Sequence, residues 1–393
     1  MKNKVGRIFR VLAFFLKLIT AKIISAFLKL SPQYRDIWII AERGDDARDN
    51  GYFFYESMRK NHPEINLWYV IKGTSADCPK VEAIGNRVEY NSFKHFIIYC
   101  ASRVRISSSV WGGDLPYADY FNKFRFIIAP KRKTVFLQHG VIKDYLPALC
   151  ANNTGKLDIF ICGAEPEYEY VSKHFGHKEG TVRYTGLARF DNLHNTKTKN
   201  QILIMPTFRK WLQQLSAEDV ANSEYVKAWQ NVLCDQRIIS ALESKDLELI
   251  FYPHYVMQKH IDEFSSPCDR VKIARFKDYD VQKLLIESKL LVTDFSSVFF
   301  DFGYMKKPTV YYQFDREKYI NEHYDYTKGY FDYDEMGFGE VALDHEAIVS
   351  AICKYIEKDF ALPKKYEERI SKFFPLHDQN NCERILSEIR SIL

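Results

Sequence analysis

Residues 290–314 read LLVTDFSSVFFDFGYMKKPTVYYQF, and more of the architecture follows from them than from any other stretch. The apolar run Leu290–Thr293 stops at Asp294, two serines follow, and the apolar spacing then turns helical. Pro308 opens a second β-rich run. Strand, polar turn, helix, strand is the order of a nucleotide-type α/β unit. Ser296 and Ser297 stand where the helix begins, so backbone N–H groups and hydroxyls converge at a point that suits phosphate. The same spacing suits Asp294, Ser296 and Ser297 as caps of a core helix, and the stretch alone leaves both readings open.

Upstream of it the same alternation recurs. QILIMPTFR (201–209), LELIFYPHY (247–255) and VKIARF (271–276) read as strands. Residues 224–245 read as one long helix, and VQKLLIESK (281–289) as a helix feeding the opening motif. Before residue 190 come the strands IWIIAE (37–42), LWYVIKG (67–73), VRISSS (104–109), KTVFLQ (133–138) and LDIFICG (157–163). Helical stretches at 52–60, 93–102 and 166–176 separate several of them. Such alternation predicts parallel sheets covered on both faces. The polar stretch FDNLHNTKTKNQ (190–201) is the best linker in the chain. After residue 340 the pattern reads as purely helical. The predicted organisation is therefore α/β in two halves with a cleft between them, residues 32–195 and 196–375. A closing helix, 376–393, would pack back on the first half.

The chain has 393 residues, 46% hydrophobic and 15% aromatic, enough for two cored domains. A net charge of +5 from 56 basic and 51 acidic residues shows no chain-wide nucleic-acid footprint, so no nucleic-acid partner is expected. Eight cysteines include no CxxC pair, and they read as free thiols of an intracellular, reducing compartment.

Residues 1–31 differ in kind. Lys4, Arg7, Arg10, Lys17, Lys22 and Lys29 punctuate a run without acidic residues. At about 100° per residue these cations share one arc, while Leu12, Phe15, Leu16, Ile19, Ile23, Ala26, Phe27 and Leu30 fill the opposite one. Lysines interrupt the roughly 20 apolar residues that a spanning helix needs. The pattern predicts an amphipathic helix lying in an anionic membrane surface, which places the protein peripherally on the cytoplasmic face.

Several polar residues fall where strands end: His139 after KTVFLQ, Arg209 after LIMPTF, His254 after LIFYP, and Asp294, Ser296 and Ser297 after LLVT. Histidine there can act as general base or hold an anion, and arginine suits bidentate phosphate contact. Arg43, Arg48 and Asp49, beside Glu42 on the first strand–helix loop, are candidate acceptor contacts, as is Lys143. Asp301, one turn beyond Ser297, is a candidate support for the serine turn. The combination needs no metal: HExxH, paired-carboxylate clusters and P-loops are all missing from the sequence, and nothing in it indicates Mg2+.

Seven motifs in order carry a resemblance: AERGDDARDNGYFFY (41–55), FLQHGVIKDYLP (136–147), TGLARFDNL (185–193), PTFRKW (206–211), FYPHY (251–255), TDFSSVFFDF (293–302) and KGYFDYDEMGFGE (328–340). In them the chain resembles the CDP-glycerol glycerophosphotransferase family of teichoic-acid and related surface-polymer enzymes. The resemblance implies two facing Rossmann-like domains, as in GT-B glycosyltransferases. The first would meet the acceptor, and the second would hold CDP-glycerol or CDP-ribitol. It further implies His139 as base on the acceptor hydroxyl and His254 near the donor pyrophosphate. Arg209, Ser296 and Ser297 match phosphate-binding positions. The acceptor would be a lipid-linked saccharide or polymer. Many relatives follow His-Gly with Thr-Pro, whereas Val141-Ile142 stands here, and others have proline where Glu340 stands. A sugar-nucleotide glycosyltransferase on the same fold, or a non-catalytic polymer-binding member, are the alternative readings.

Overall fold

The computed structural model describes residues 2–109, 115, 132–150, 157–323 and 327–393. Among these residues the strands form two sheets, both wholly parallel. The first holds β1 (Trp38–Ala41), β2 (Leu67–Ile71), β3 (Arg87–Glu89), β4 (Val104–Ser107), β5 (Lys133–Phe136), β6 (Ile159–Cys162) and β7 (Val182–Tyr184), in the order β3-β2-β1-β4-β5-β6-β7. The second holds β8 (Gln201–Ile204), β9 (Glu248–Phe251), β10 (Val271–Ile273), β11 (Leu290–Thr293), β12 (Thr309–Tyr312) and β13 (Gly339–Ala342), in the order β10-β9-β8-β11-β12-β13.

Both orders reverse direction once, between β1 and β4 and between β8 and β11. Ile40 pairs with Ile106 at the first reversal and Val292 with Ile204 at the second. A crevice opens at such a point beyond the carboxyl ends of the strands, and that is where α/β sheets bind ligands. The central strands β1, β4, β8 and β11 are buried at every residue, which explains their unbroken apolar runs.

Two local features depart from the sequence reading. The helix expected over 224–245 breaks at Asp235 into Glu224–Cys234 and Gln236–Ser244. Asp235 leaves helical geometry, and its carboxylate accepts from the Arg237 backbone N–H, a cap stronger than the helical periodicity running through it. After residue 338 the chain forms β13 before its helices. A Cβ at Gly339 would lie 1.7 Å from the Thr309 carbonyl oxygen, so β13 reaches β12 only because that residue is glycine.

The helix Lys2–Leu28 buries Phe14, Leu18, Ala21 and Ser25 against the helix Phe93–Ala101, with Phe14 edge-on to Phe96 at 5.5 Å. Lys17 lies over the Phe96 ring at 4.4 Å and donates to the Asn91 carbonyl. Lys17 thus lies against the protein while Arg10, Lys22 and Lys29 are exposed, and the apolar arc (Phe9, Leu12, Leu16, Ile19, Ile23, Phe27 and, just beyond, Leu30) is bare. The side chains of Lys4 and Arg7 lie outside the described residues. Phe9–Leu28 is long and apolar enough to cross a membrane.

The chain crosses between sheets twice. Residues 185–200 lead from β7 to β8, and residues 374–380 return to the helix Asn381–Ser391, which sits on the first sheet's side. There Asp191 accepts from the Asn381 and Cys382 backbone N–H groups, and Arg183 pairs with Glu388 at 2.7 Å.

Candidate active site

The loop after β1 is folded inward by Glu42. Its buried carboxylate accepts from the N–H groups of Arg48 (2.9 Å), Asp49 (2.8 Å) and Tyr52 (3.0 Å). Burial and the nearby Asp49 charge push the Glu42 pKa up to about 8. Asp49 then caps the helix Asn50–Asn61 through the Asn50 N–H. Asn50 reaches in the opposite direction, donating from Nδ2 to the Gln138 carbonyl at 2.8 Å.

Gln138 ends β5 in the left-handed region, φ +60°. Such a backbone costs a non-glycine residue about 1–3 kcal/mol and persists only where its neighbours hold it. Here the Gln138 side chain donates to the Ile161 carbonyl and to Glu167, whose buried carboxylate also accepts from Ile142 and Gly163, each at 2.6 Å. The strained residue turns His139 out of the sheet. The ring presents surface to the cleft while protein packs densely around the rest of it. Desolvation by that packing lowers its pKa, and the Asp49 charge opposes the shift.

Arg189 joins the two units. Its Nη1 donates to Asp49 (2.8 Å) and to the His139 carbonyl (2.9 Å), while Nε and Nη2 make a fork to Asp301 at 2.6 and 2.8 Å. Asp301 lies on the helix Val298–Tyr304 that follows the serine turn. The sheets are therefore clamped with His139-Gly140 against Ser297: a Cβ on Gly140 would come within 3.3 Å of the Ser297 hydroxyl. Ser296 and Ser297 are partly exposed there, and Ser297 makes no side-chain cap bond.

Arg209 and Asp294 stand elsewhere than expected. Both side chains have no accessible surface. Arg209 makes a fork to Asp315 at 2.6 and 2.9 Å and contacts Asp294 at 2.8 Å. Asp294 accepts in addition from the Thr207 and Phe295 N–H groups. The pair ties the ends of β8 and β11 together beneath the serine turn and presents no donor to the cleft. His254 does stand at the cleft, stacked near Phe208 with centroids 4.7 Å apart. Burial and the positive charge of Arg43 lower its pKa to about 4. Arg43 itself is well exposed, and its charge reaches His139 as well.

Of the other expected acceptor contacts, Arg48 is engaged by Asp77 at 2.8 Å, and Lys143 is buried against Asp144. Arg189 is the functional residue that strand-exit reasoning passed over, although it stands inside the TGLARFDNL motif. Among the described residues no group of three or more His, Cys, Asp or Glu side chains is arranged to hold a metal.

Two Rossmann-like sheets facing across a cleft, with polar loops from both switch points meeting in it, define a GT-B-like fold. The wall teichoic acid polymerase TagF has this fold: its structure superposes with a TM-score of 0.62 at 16% identity, over 100% of this chain and 98% of that one. The model of the CDP-glycerol:poly(glycerophosphate) glycerophosphotransferase family matches residues 23–391, and the chain belongs to that family. It is 30% identical over 376 residues to the minor teichoic acid biosynthesis protein GgaB of Bacillus subtilis, covering 90% of this chain and 40% of that one. It is 23% identical to the teichoic acid ribitol-phosphate primase of Bacillus spizizenii, covering 95% and 94%. The chain spans 39–53% of the length of the first three curated relatives it matches.

Proposed function

We propose that the chain transfers a polyol phosphate from a CDP-polyol, CDP-glycerol or CDP-ribitol, to a hydroxyl of a lipid-linked acceptor in teichoic-acid-like polymer synthesis. The observation that carries this reading is the approach of Gly140, the residue after His139, to Ser297, locked by Arg189 between Asp49 and Asp301. An acceptor hydroxyl beside His139 attacks the β-phosphorus, a new O–P bond forms, the bridging P–O bond breaks, and CMP leaves. His139 takes the hydroxyl proton. Its lowered pKa keeps it neutral, and so able to accept that proton, at neutral pH. Ser296, Ser297 and the first N–H groups of their helix face the phosphates, with His254 beyond β9 on the same unit.

The bare arc of the N-terminal helix supports attachment to a membrane surface on the cytoplasmic side. Burying each large side chain there contributes about 1.5–3 kcal/mol.

Purified protein incubated with a lipid-linked acceptor is expected to release CMP from CDP-glycerol or CDP-ribitol and no UDP from sugar nucleotides. His139→Ala is expected to lower the rate by about 10²–10⁴-fold with the fold intact. CMP release from neither CDP-polyol removes the reading, and near-normal turnover of His139→Ala removes His139 as the base.

A further inference from the structure

The cations that the motifs bring to the cleft are mostly spent on carboxylates. Arg48 is paired with Asp77, Lys143 with Asp144, Arg189 with Asp49 and Asp301, and Arg209 with Asp294 and Asp315. Arg43 differs. Its side chain is 66% exposed, and it meets Asp46 through Nε at a loose 3.6 Å. Both of its Nη amino groups are left unengaged among the described residues.

The backbone beneath this side chain is fixed. Gly44 takes φ +94°, and its carbonyl accepts from the Lys72 N–H at 2.9 Å. The Asp45 carbonyl accepts from the Ser75 hydroxyl, and the Asp46 carbonyl from the Tyr69 hydroxyl. The Arg43 N–H donates to the Asp46 carboxylate at 3.2 Å. A long cationic side chain thus leaves a pinned turn two residues beyond β1, a strand at the first sheet's reversal.

Its charge is felt on both units. Burial lowers the pKa of His139 on the first and of His254 on the second, and the Arg43 charge adds to the lowering at each. One charge acts so on two groups only from a place within reach of both. The balance around the serine turn calls for such a cation. Arg189 brings one positive charge to two carboxylates, Asp49 and Asp301. A diphosphate arriving at Ser296 and Ser297 adds further negative charge, and transfer spreads it over the phosphoryl oxygens. A guanidinium with a free planar fork of donors matches those oxygens.

We infer that Arg43, carried by the first unit, donates hydrogen bonds across the cleft to the β-phosphate at Ser296 and Ser297, and is a catalytic residue of the transfer. The inference rests on the transfer reading above. No proton leaves or joins the guanidinium. It holds the non-bridging oxygens while the bond to CMP breaks and the bond to the acceptor forms.

The test compares CDP with CMP, which differ by the β-phosphate alone, in calorimetry on the full chain. Arg43→Ala is expected to bind CDP about tenfold more weakly than the parent, the loss of one charged hydrogen bond. Its CMP affinity should match the parent, which also reports that the variant folds. With CDP-glycerol and a lipid-linked acceptor, its kcat for CMP release should fall by about 10²-fold. Asp46→Asn removes the charge facing Arg43 and should bind CDP at least as tightly as the parent.

Parent-like CDP affinity in Arg43→Ala overturns the inference, as does an equal loss of CMP and CDP affinity, or a parent-like kcat. A loss in Asp46→Asn as large as that in Arg43→Ala overturns it too, since the ion pair would then merely shape the loop. If the parent binds neither CDP nor CMP, the transfer reading fails and takes the inference with it. If both bind with the expected difference but CDP-glycerol releases no CMP, the transfer reading alone fails and Arg43 stands as a diphosphate contact.

Discussion

At the residue scale, the main correction concerns Arg209. An arginine at a strand exit reads the same in sequence whether it faces a ligand or two carboxylates, and Asp315 lies outside all seven motifs. Buried between Asp294 and Asp315, Arg209 acts on the serine turn through the backbone it fixes. Arg209→Met would strand two buried carboxylates, and a loss of about 3–5 kcal/mol in urea denaturation is expected. Asp49 is the second residue with a measurable signature. Its charge raises the His139 pKa against the lowering by burial. Asp49→Asn removes the raising influence, so the acid limb of kcat/KM for CMP release should move to lower pH. A limb that stays in place refutes the coupling. Arg189 escaped the strand-exit rule because it lies in a short turn beyond β7, where only its motif marks it.

At the scale of elements, the strands with long apolar runs were legible, and so were the histidines at their ends. Of the short edge strands only β10 was. Strands β3, β7 and β13 have three or four residues each, too few for a periodic signal, and β13 is set by contact with Thr309. Gly339→Ala is expected to unpair β13 from β12 and lower the melting temperature, while Glu340→Ala, on the same strand but half-exposed, should barely change it. The left-handed Gln138 was equally hidden, since its partners Ile161 and Glu167 come from a later strand and helix. The N-terminal helix separates two roles by face. Leu16→Glu with Ile23→Glu should move the protein from membrane to soluble fractions without altering its urea midpoint. Phe14→Ala, on the packed face, should cost about 3–5 kcal/mol of stability.

At the scale of the molecule, two sheets with the same strand order present their switch points to each other, and Arg189 sets how they meet. Arg189→Ala keeps each sheet's own hydrogen bonds and removes the fork to Asp301. Its kcat should fall by about 10²-fold through misplacement of His139, with CDP-glycerol affinity retained on the second unit. Equal losses in both would show that Arg189 merely supports folding.

The two chain crossings carry one more consequence. His194 on the outgoing crossing and His377 on the returning one lie ring to ring, 4.9 Å apart, and Gln379 donates to the Asp191 carbonyl beside them. Two ropes fastened side by side make a single hinge line. Such a joint lets the halves swing like the covers of a book but resists sliding and twisting of one half over the other. A turn about that line would part the halves most at the edge farthest from the spine, where the Arg189 fork to Asp301 opposes it.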